Sequence, residues 1–347
     1  MKRIVLSLLF VLGIAAAASA EVQLMGSGAT LPKDLYLKMF DAYAQAKGMK
    51  VDYNAIGSGG GIQNLIDKTV DFAGSDAPMK PAELEKAGNV EVIHIPTCLA
   101  AVALTYNLAG VTAPLKFTPA VLADIFLGKI TKWNDAKIAA LNAGAKLPSS
   151  DIIIITRADS SGTTANFTKY LSAVSEEWKT SVGADKTVKW PSSKAAGKGS
   201  DGVAALVKMT PGALGYVEVD YALKNKMAVG LIQNKSGNFI DPSNLAAIAE
   251  AGNLDVIPDN AQMNTLNTGA KNGYPIAVTT WILLYKDQSY TKDEAKSKAV
   301  VDIIWWMIHD GQKINETVSF AKLPVAAVTV SEKLLKTVVF NGKPLVK

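Results

Sequence analysis

The pattern of apolar and polar positions divides this chain into alternating strands and helices. Residues 151–157 form a continuous apolar run, which is typical of a strand buried on both faces of a sheet. Residues 277–285 form a second long β run. A β-rich run over residues 90–106 is interrupted at Pro96. These runs predict the main strands of a sheet.

Shorter patterns occupy the intervals between these runs. They predict strands at 51–56, 70–76 and 212–220 and helices at 62–67, 119–126, 134–142, 201–208 and 293–308. Ser200 is the predicted N-cap of one helix, and residues 192–199 are the most linker-like stretch. The alternation of strands and helices predicts an α/β fold in layers.

Two of these runs are predicted to cross between two lobes. They are the end of the early run, residues 101–106, and the late run, residues 277–285. The first lobe then contains residues 21–101 and 280–347, and the second contains residues 102–279. Such a molecule closes on a ligand in the cleft between its lobes. The alternative is that both runs are ordinary core strands, and periodicity alone does not separate the two interpretations.

The N-terminal residues have the features of a cleaved signal peptide. A basic start at Lys2 and Arg3 is followed by a short apolar stretch and an Ala-x-Ala sequence ending at Ala20. The alternative is a membrane anchor, but the apolar stretch is short for a bilayer. Residues 1–20 therefore predict export to the periplasm.

The net charge and the cysteine count exclude some classes of protein. Removing Lys2 and Arg3 lowers the formal net charge from +5 to +3, which is too small to indicate a nucleic-acid partner. The one cysteine, Cys98, excludes an internal disulfide framework, and its apolar surroundings predict a buried side chain.

Three turns rich in glycine and serine each precede an amphipathic segment. They lie at residues 26–32, 57–61 and 157–163. The N-terminus of a helix has unsatisfied N–H groups and the positive end of the helix dipole, so it binds anions readily. Three such turns in one chain predict a pocket where helix ends converge on one small anion.

The third turn contains the candidate cation, Arg157. Asp159 lies two residues later, where its carboxylate can orient the guanidinium toward an oxyanion. Ser161 and Thr163 follow and can donate hydroxyl groups. The alternatives are a surface ion pair for Arg157 and a simple N-cap role for Ser160 or Ser161.

Asp76 is an unexpected acid at the end of a predicted strand. Its carboxylate can accept a hydrogen bond from a protonated oxyanion, and phosphate retains a proton at neutral pH whereas sulfate does not. An ionised acid in the pocket therefore favours phosphate and repels sulfate. The alternative role is a helix cap.

The motifs of common enzymes are missing from the sequence. The two histidines, His94 and His309, are far apart, and no cluster has metal-ligand spacing or forms a nucleophile elbow. The residues therefore predict a binding protein that needs no metal and no cofactor.

The motifs together resemble the periplasmic phosphate-binding proteins of high-affinity phosphate ABC transporters, the PstS family. The resemblance covers nearly the whole mature chain. It is carried by residues 26–32, 53–61, 70–78, 126–133, 157–163 and 212–218. It implies a type II solute-binding fold of two lobes joined by two crossing strands, with phosphate in the cleft. Three positions differ from the commonest family pattern: Leu31 replaces phenylalanine, Gly59 replaces serine and Ser160 replaces glycine.

The resemblance also implies site residues and partners. The phosphate ligands would be Thr30, Leu31, Ser58, Asp76, Arg157, Ser161, Gly162 and Thr163. Asp159 would hold Arg157 from behind, and Leu31 would contribute its backbone N–H. The partners would be phosphate and the permease subunits of the transporter, with the receptor itself a monomer. Two other functions remain open: a receptor for molybdate, tungstate or sulfate, and a secreted phosphatase.

Overall fold

A computed structural model describes residues 23–346 of the chain. The predicted signal peptide, residues 1–20, lies outside this range. Within the range, none of the helices combines the length and the apolar character needed to span a bilayer.

Fourteen strands occur within the described residues. In chain order, β1 to β14 are Leu24–Gly28, Val51–Ala55, Phe72–Ser75, Val92–Tyr106, Lys116–Phe117, Ile153–Arg157, Ser193–Gly197, Ala213–Glu218, Ala228–Val229, Leu231–Gln233, Phe239–Ile240, Ala277–Tyr285, Val339–Phe340 and Lys343–Pro344.

Thirteen α-helices alternate with these strands over residues 23–346. In chain order, α1 to α13 are Lys33–Lys47, Ser58–Ile66, Pro81–Lys86, Pro119–Phe126, Ala136–Leu141, Gly162–Val174, Glu176–Ser181, Gly199–Met209, Val219–Lys224, Leu245–Gly252, Glu294–Ile308, Gln312–Asn315 and Val325–Leu335. Two short 3-10 helices lie at Ser289–Thr291 and Glu316–Val318.

One large sheet organises the molecule. Its strand order is β2-β1-β3-β12-β4-β8-β6-β7, and β9 also pairs with β4. We call the part around β1, β2, β3 and β12 the first lobe, and the part around β6, β7 and β8 the second lobe. Both long β runs of the sequence are central strands, and the residues of β12 are all buried.

The strand β4 belongs to both lobes. Its residues 92–101 pair with β12, and its residues 102–106 pair with β8. The backbone N–H of Val102 donates to the carbonyl of Ile276, just before β12 begins. The two connections between the lobes therefore lie side by side at this point. The predicted lobe boundaries, at 101/102 and 279/280, stay predictions.

A β-bulge interrupts the pairing of β4 with β12. Thr280 pairs with Cys98 and Trp281 with Pro96, so Thr97 has no partner residue in the ladder. Proline has no N–H to donate to a ladder, and bulges are sites where strands tolerate it. The predicted interruption at Pro96 is therefore a bulge within one continuous strand.

Two predictions about the second lobe are wrong. The linker-like stretch contains the edge strand β7, which pairs in parallel with β6. Its hydrogen bonds come from a strand about forty residues away, which the local composition does not reveal. The helix α8 begins at Gly199 and has Lys198 at its N-cap, so Ser200 lies inside the first turn. Gly199 has a φ of +67°, a conformation that suits glycine at this entry.

The core lies on both faces of the central strands. Cys98 is completely buried there, as predicted, and burial raises the pKa of its thiol. The helix α1 packs its buried residues Leu35, Tyr36, Met39 and Phe40 against the first lobe. Their spacing of three and four residues follows one face of a helix, so the N-terminus of α1 is held at the edge of the sheet.

Candidate functional site

Four strand ends bring the predicted site residues together. The strands β1, β2 and β3 are parallel and lead to the N-terminus of α1, the N-terminus of α2 and Asp76 respectively. In the second lobe, β6 leads to the N-terminus of α6. The crevice outside the carboxyl ends of parallel strands is the usual binding place in such folds. All eight predicted ligand residues are buried at this crevice.

Ser58 connects the two lobes at the centre of the site. Its Oγ accepts hydrogen bonds from the backbone N–H of Asp76 at 3.2 Å and of Gly162 at 3.1 Å. A hydroxyl oxygen has two lone pairs, and both are used here. The O–H of Ser58 must therefore act as a donor, and Oδ2 of Asp76 lies 3.5 Å away.

Three helix N-termini leave backbone donors available. Within residues 23–346, the N–H groups of Leu31, Ser58 and Thr163 make no hydrogen bond to the protein. These residues belong to the turns before or at the start of α1, α2 and α6. Donors of this kind, at the positive ends of helices, form a site for an anion.

Thr30 and Leu31 are both buried, and Thr30 lies against the second lobe. Its Oγ1 is 3.1 Å from Oγ of Ser200 and accepts the N–H of Ser200 at 3.2 Å. The hydroxyl of Tyr221 donates to the carbonyl of Thr30 at 2.5 Å. Ser200 was predicted to be an N-cap; in the structure it instead fixes the first turn across the cleft.

Arg157 is oriented by two hydrogen bonds to one carboxylate. Its Nε donates to Oδ1 of Asp159 at 2.8 Å, and its Nη2 donates to Oδ2 at 2.6 Å. Burial alone would raise the pKa of Asp159, but the hydrogen bonds and charge of Arg157 outweigh burial and lower it. The side chain of Arg157 is only 2% exposed, and its Nη1 lies 3.4 Å from Oγ1 of Thr163. The predicted pairing of Arg157 with Asp159 is present.

Asp76 is a buried acid with a raised pKa. Burial raises the pKa of its carboxyl to about 6, although the hydrogen bond from Thr280, the charge of Arg157 and the hydrogen bond from Ser58 oppose the rise. The Oγ1 of Thr280 donates to Oδ1 at 2.7 Å. Asp76 can therefore change its protonation state within the range where phosphate keeps a proton.

Two glycines allow the lobes to approach at this site. A Cβ at Gly162 would lie 2.3 Å from Oγ of Ser58 and 2.7 Å from Cβ of Asp76. Gly57 has a φ of +94°, and its Cβ would lie 2.3 Å from Oδ2 of Asp159. Neither position accepts a larger side chain without moving the site residues.

Gly59 and Ser160 meet across the cleft. The N–H of Gly59 donates to the carbonyl of Ser160 at 3.0 Å. A Cβ at Gly59 would lie 2.1 Å from Oγ and 2.4 Å from Cβ of Ser160. Ser160 does not adopt a positive φ, so its turn accepts a serine without backbone strain.

Ion pairs between the lobes flank the site on two sides. On one side, Glu83 binds Lys186 at 2.7 Å, and Lys80 binds Asp185 at 2.5 Å. The carbonyl of Lys186 also accepts the N–H of Ser161 at 2.9 Å, which ties this side to the third turn. The other side is formed by the pairs Lys33–Asp201 and Asp34–Lys224. The structure is therefore a closed form of the cleft.

The two histidines are structural. Nε2 of His94 accepts the N–H of Met79, and burial lowers the pKa of His94 to about 4. His309 bonds to Glu332 and to the carbonyl of Trp305. Among the described residues, no three histidine, cysteine or carboxylate side chains are grouped to hold a metal.

Sequence reasoning missed several residues that support the site. Thr280 bonds to Asp76, and Asn166 donates to the carbonyls of Asp76 and Gly162. Tyr216 accepts the N–H of Arg157 and is 2.7 Å from Oγ1 of Thr164. Two adjacent threonines inside the apolar run of β12 were the available signal, because a buried hydroxyl requires a partner.

The chain matches a known family and named proteins over most of its length. A family model described as a PBP superfamily domain matches residues 15–302. The phosphate-binding protein PstS of Xylella fastidiosa strain Temecula1 is 41% identical over 313 residues, which cover 89% of this chain and 84% of that protein. The phosphate-binding protein PstS of Pasteurella multocida strain Pm70 is 40% identical, with 92% of each chain covered.

Solved structures have the same fold. A high-affinity periplasmic phosphate-binding protein, PfluDING, was solved bound with phosphate. It matches with a TM-score of 0.71 and 20% identity, covering 93% of this chain and all of that one. At this identity the match shows the fold alone. The chain has the two-lobed fold of periplasmic solute-binding proteins, as predicted.

Proposed function

Because the chain belongs to the PstS family of phosphate-binding proteins, we propose that it is a receptor for inorganic phosphate outside the cytoplasm. It delivers phosphate to the permease subunits of an ABC transporter and acts as a monomer in the periplasm. The observation that carries the proposal is the convergence of three helix N-termini, Arg157 and Asp76 in one buried cleft.

The donors of the cleft suit a tetrahedral oxyanion. The N–H groups of Leu31, Ser58 and Thr163 are available to replace water around the ligand. The O–H of Ser58 points to Oδ2 of Asp76 in this structure and would turn from it to reach the ligand. Arg157 supplies a full positive charge in a place where burial strengthens electrostatic interactions. No metal is required for this set of contacts.

The remaining ligands complete the set. Oγ of Ser161 accepts the N–H of Thr164, which leaves its own O–H as a donor. The N–H of Gly162 donates to Ser58 in this structure, so its predicted contact with phosphate needs that bond to be shared. Thr30 contributes through its position in the first turn, and Asp159 holds Arg157.

Asp76 provides selectivity in this proposal. When ionised, it has only acceptor oxygens, so it pairs with an oxyanion that carries a proton. Phosphate offers that proton at neutral pH, and sulfate or molybdate offers none. A buried carboxylate facing an unprotonated dianion is repelled, and this repulsion excludes the competing ligands.

Calorimetry on protein stripped of phosphate tests the function. We expect tight one-to-one binding of phosphate and no measurable binding of sulfate or molybdate at neutral pH. Arsenate, which has the same geometry and also retains a proton, serves as the matched positive ligand. Heat with sulfate or molybdate and none with phosphate would assign the site to another oxyanion.

A chromogenic phosphate ester separates a receptor from a phosphatase. We expect no release of the chromophore under conditions where phosphate binds. Turnover that is lost in the variant Arg157→Ala would instead indicate hydrolysis at this site.

A further inference from the structure

Asp76 and Thr280 are neighbours across two strands. The antiparallel register of β3 and β12 pairs Ser75 with Trp281, and one further step places Asp76 opposite Thr280. Oγ1 of Thr280 donates to Oδ1 of Asp76 at 2.7 Å, and the two residues are 0% and 1% exposed. An ionised carboxylate only accepts hydrogen bonds, so the threonine is the donor.

The bulge in β4 adds a second contact at Thr280. Thr97, the residue without a ladder partner, donates through Oγ1 to the carbonyl of Thr280 at 3.2 Å. Thr97 is in turn 2.8 Å from the hydroxyl of Tyr36. Bulges beside functional sites commonly redirect a side chain. The backbone of Thr280 is therefore held on the side away from Asp76.

The two oxygens of Asp76 have different surroundings. Oδ1 accepts the hydrogen bond of Thr280, whereas Oδ2 lies 3.5 Å from the hydroxyl of Ser58 and near the second-lobe residue Gly162. A Cβ at Gly162 would lie 2.8 Å from Oδ2. Oδ2, the oxygen that lies against the third turn at Gly162, is therefore the one that Thr280 does not bind.

We propose that Thr280 is the positioning residue for ligand discrimination. Its hydroxyl donates a hydrogen bond to Oδ1 of Asp76, which leaves Oδ2 as the acceptor for the proton of the ligand. The inference rests on the proposed phosphate function. Thr280 acts through Asp76 and does not itself touch the ligand.

The location of Thr280 distinguishes it from the other groups around Asp76. The charged and titratable groups that face the carboxyl are Arg157 from β6, Tyr36 from α1, Tyr53 from β2 and Cys98 from β4. Arg157 is the only cation of these, and it belongs to the second lobe. Thr280 and Asp76 belong to the same lobe, so their bond persists when the cleft opens. Thr280 thus prepares the carboxylate before the ligand arrives.

Two variants test the proposal. Thr280→Val keeps the shape and the branched side chain but removes the donor, and Thr280→Ser keeps the hydroxyl. The pKa of the Asp76 carboxyl, followed by nuclear magnetic resonance in phosphate-free protein, is expected to rise by about one unit in the valine variant, since a hydrogen bond to a charged group is lost. The serine variant is expected to titrate like wild type.

Competition between phosphate and sulfate gives a second measurement. In Thr280→Val, the pH below which phosphate affinity falls is expected to move up by about one unit. Sulfate affinity at pH 7 is expected to rise about fivefold, because the protonated fraction of Asp76 rises from about a tenth to about a half. Thr280→Ser is expected to restore both values. Thermal unfolding of the variants checks that both fold.

The outcomes separate the two proposals. If Thr280→Val titrates and discriminates like wild type, Thr280 has no positioning role. If wild type fails to bind phosphate, the proposed function is wrong, and the resonance titration still decides whether Thr280 controls Asp76.

Discussion

Arg157 and Asp159 form a bidentate ion pair inside the cleft, with donor–acceptor distances of 2.8 and 2.6 Å. Oδ1 of Asp159 also accepts the N–H of Gly199 at 2.9 Å. The guanidinium therefore has one fixed orientation, with Nη1 toward Thr163 in the third turn. Orientation before binding reduces the entropy that the ligand must overcome.

Arg157→Ala is expected to weaken phosphate binding by about tenfold to a hundredfold, because hydrogen bonds to charged groups contribute about 1.5–3 kcal/mol. The variant also leaves Asp159 unpaired beside the anion. Arg157→Lys is the matched control: it keeps the charge, loses the fork, and should bind with intermediate affinity. Asp159→Asn should be milder than Arg157→Ala. Calorimetry measures all three, and an unchanged affinity in the alanine variant would show that this arginine does not hold phosphate.

Asp76→Asn is expected to relax selectivity. The amide removes the negative charge and can donate to an unprotonated oxygen, so sulfate affinity should rise. Phosphate affinity should change modestly, because the amide oxygen still accepts the phosphate proton. Competition titrations of wild type and variant with both anions measure the ratio. An asparagine variant that excludes sulfate as strongly as wild type would place selectivity outside Asp76.

Phosphate binding is expected to weaken as the pH falls through about 6, where Asp76 takes up a proton and ceases to be a pure acceptor. The effect on folding has the opposite sense. Because the pKa is raised in the folded state, the contribution of Asp76 to stability is fully present below its unfolded value near 4 and is lost as the pH rises through about 6. Calorimetry from pH 5 to 8 with wild type and Asp76→Asn isolates this group. Equal pH profiles for the two proteins would exclude Asp76 as the titrating acid.

The ion pair of Glu83 with Lys186 is expected to stabilise the closed form. The side chain of Lys186 is 5% exposed, so removing its partner leaves a buried charge. Glu83→Gln should lower phosphate affinity about tenfold or more and speed its release. Lys33→Ala breaks the exposed pair with Asp201 and should have little effect. Stopped-flow measurements of phosphate release compare the two variants. Closure itself is followed by small-angle scattering, which should give a smaller radius of gyration with phosphate than without it. Equal release rates in both variants would show that burial of the pair has no role in closure.

Gly59→Ser is expected to hinder closure, because its Cβ would lie 2.4 Å from Cβ of Ser160. Ser160→Gly alone removes the side chain and should cost little. The double variant, which moves one serine across the cleft, should recover the affinity that Gly59→Ser loses. Calorimetry of the four proteins gives the coupling between the sites. Additive effects would show that the two positions do not compete for one space.

Local patterns predicted the elements that bury a continuous apolar surface. The predicted bounds of α4 and β12 agree with the structure, because the apolar residues that define each element begin and end there in the sequence. The three turns rich in glycine and serine were equally visible, since the N-terminus of a helix is a local feature. Asp76 was recognisable because a negatively charged side chain is unexpected beside turns that are predicted to bind an anion.

Contacts between distant parts of the chain were not predictable in this way. Thr280 meets Asp76 from 204 residues away, and Tyr221 meets Thr30 from 191 residues away. Nothing near Thr280 in the sequence identifies its partner. The strand β7 was missed for the same reason, because its hydrogen bonds come from β6. A single sequence carries the type of a buried polar group but not the identity of its partner.

The single space shared by Gly59 and Ser160 constrains how this site changes through evolution. The family pattern that the sequence resembles would have serine at the first position and glycine at the second, the reverse of this chain. A chain with serine at both positions would suffer the clash, whereas a chain with glycine at both would only lose a contact. An exchange of serine between the two positions that avoids this clash therefore passes through glycine at both of them.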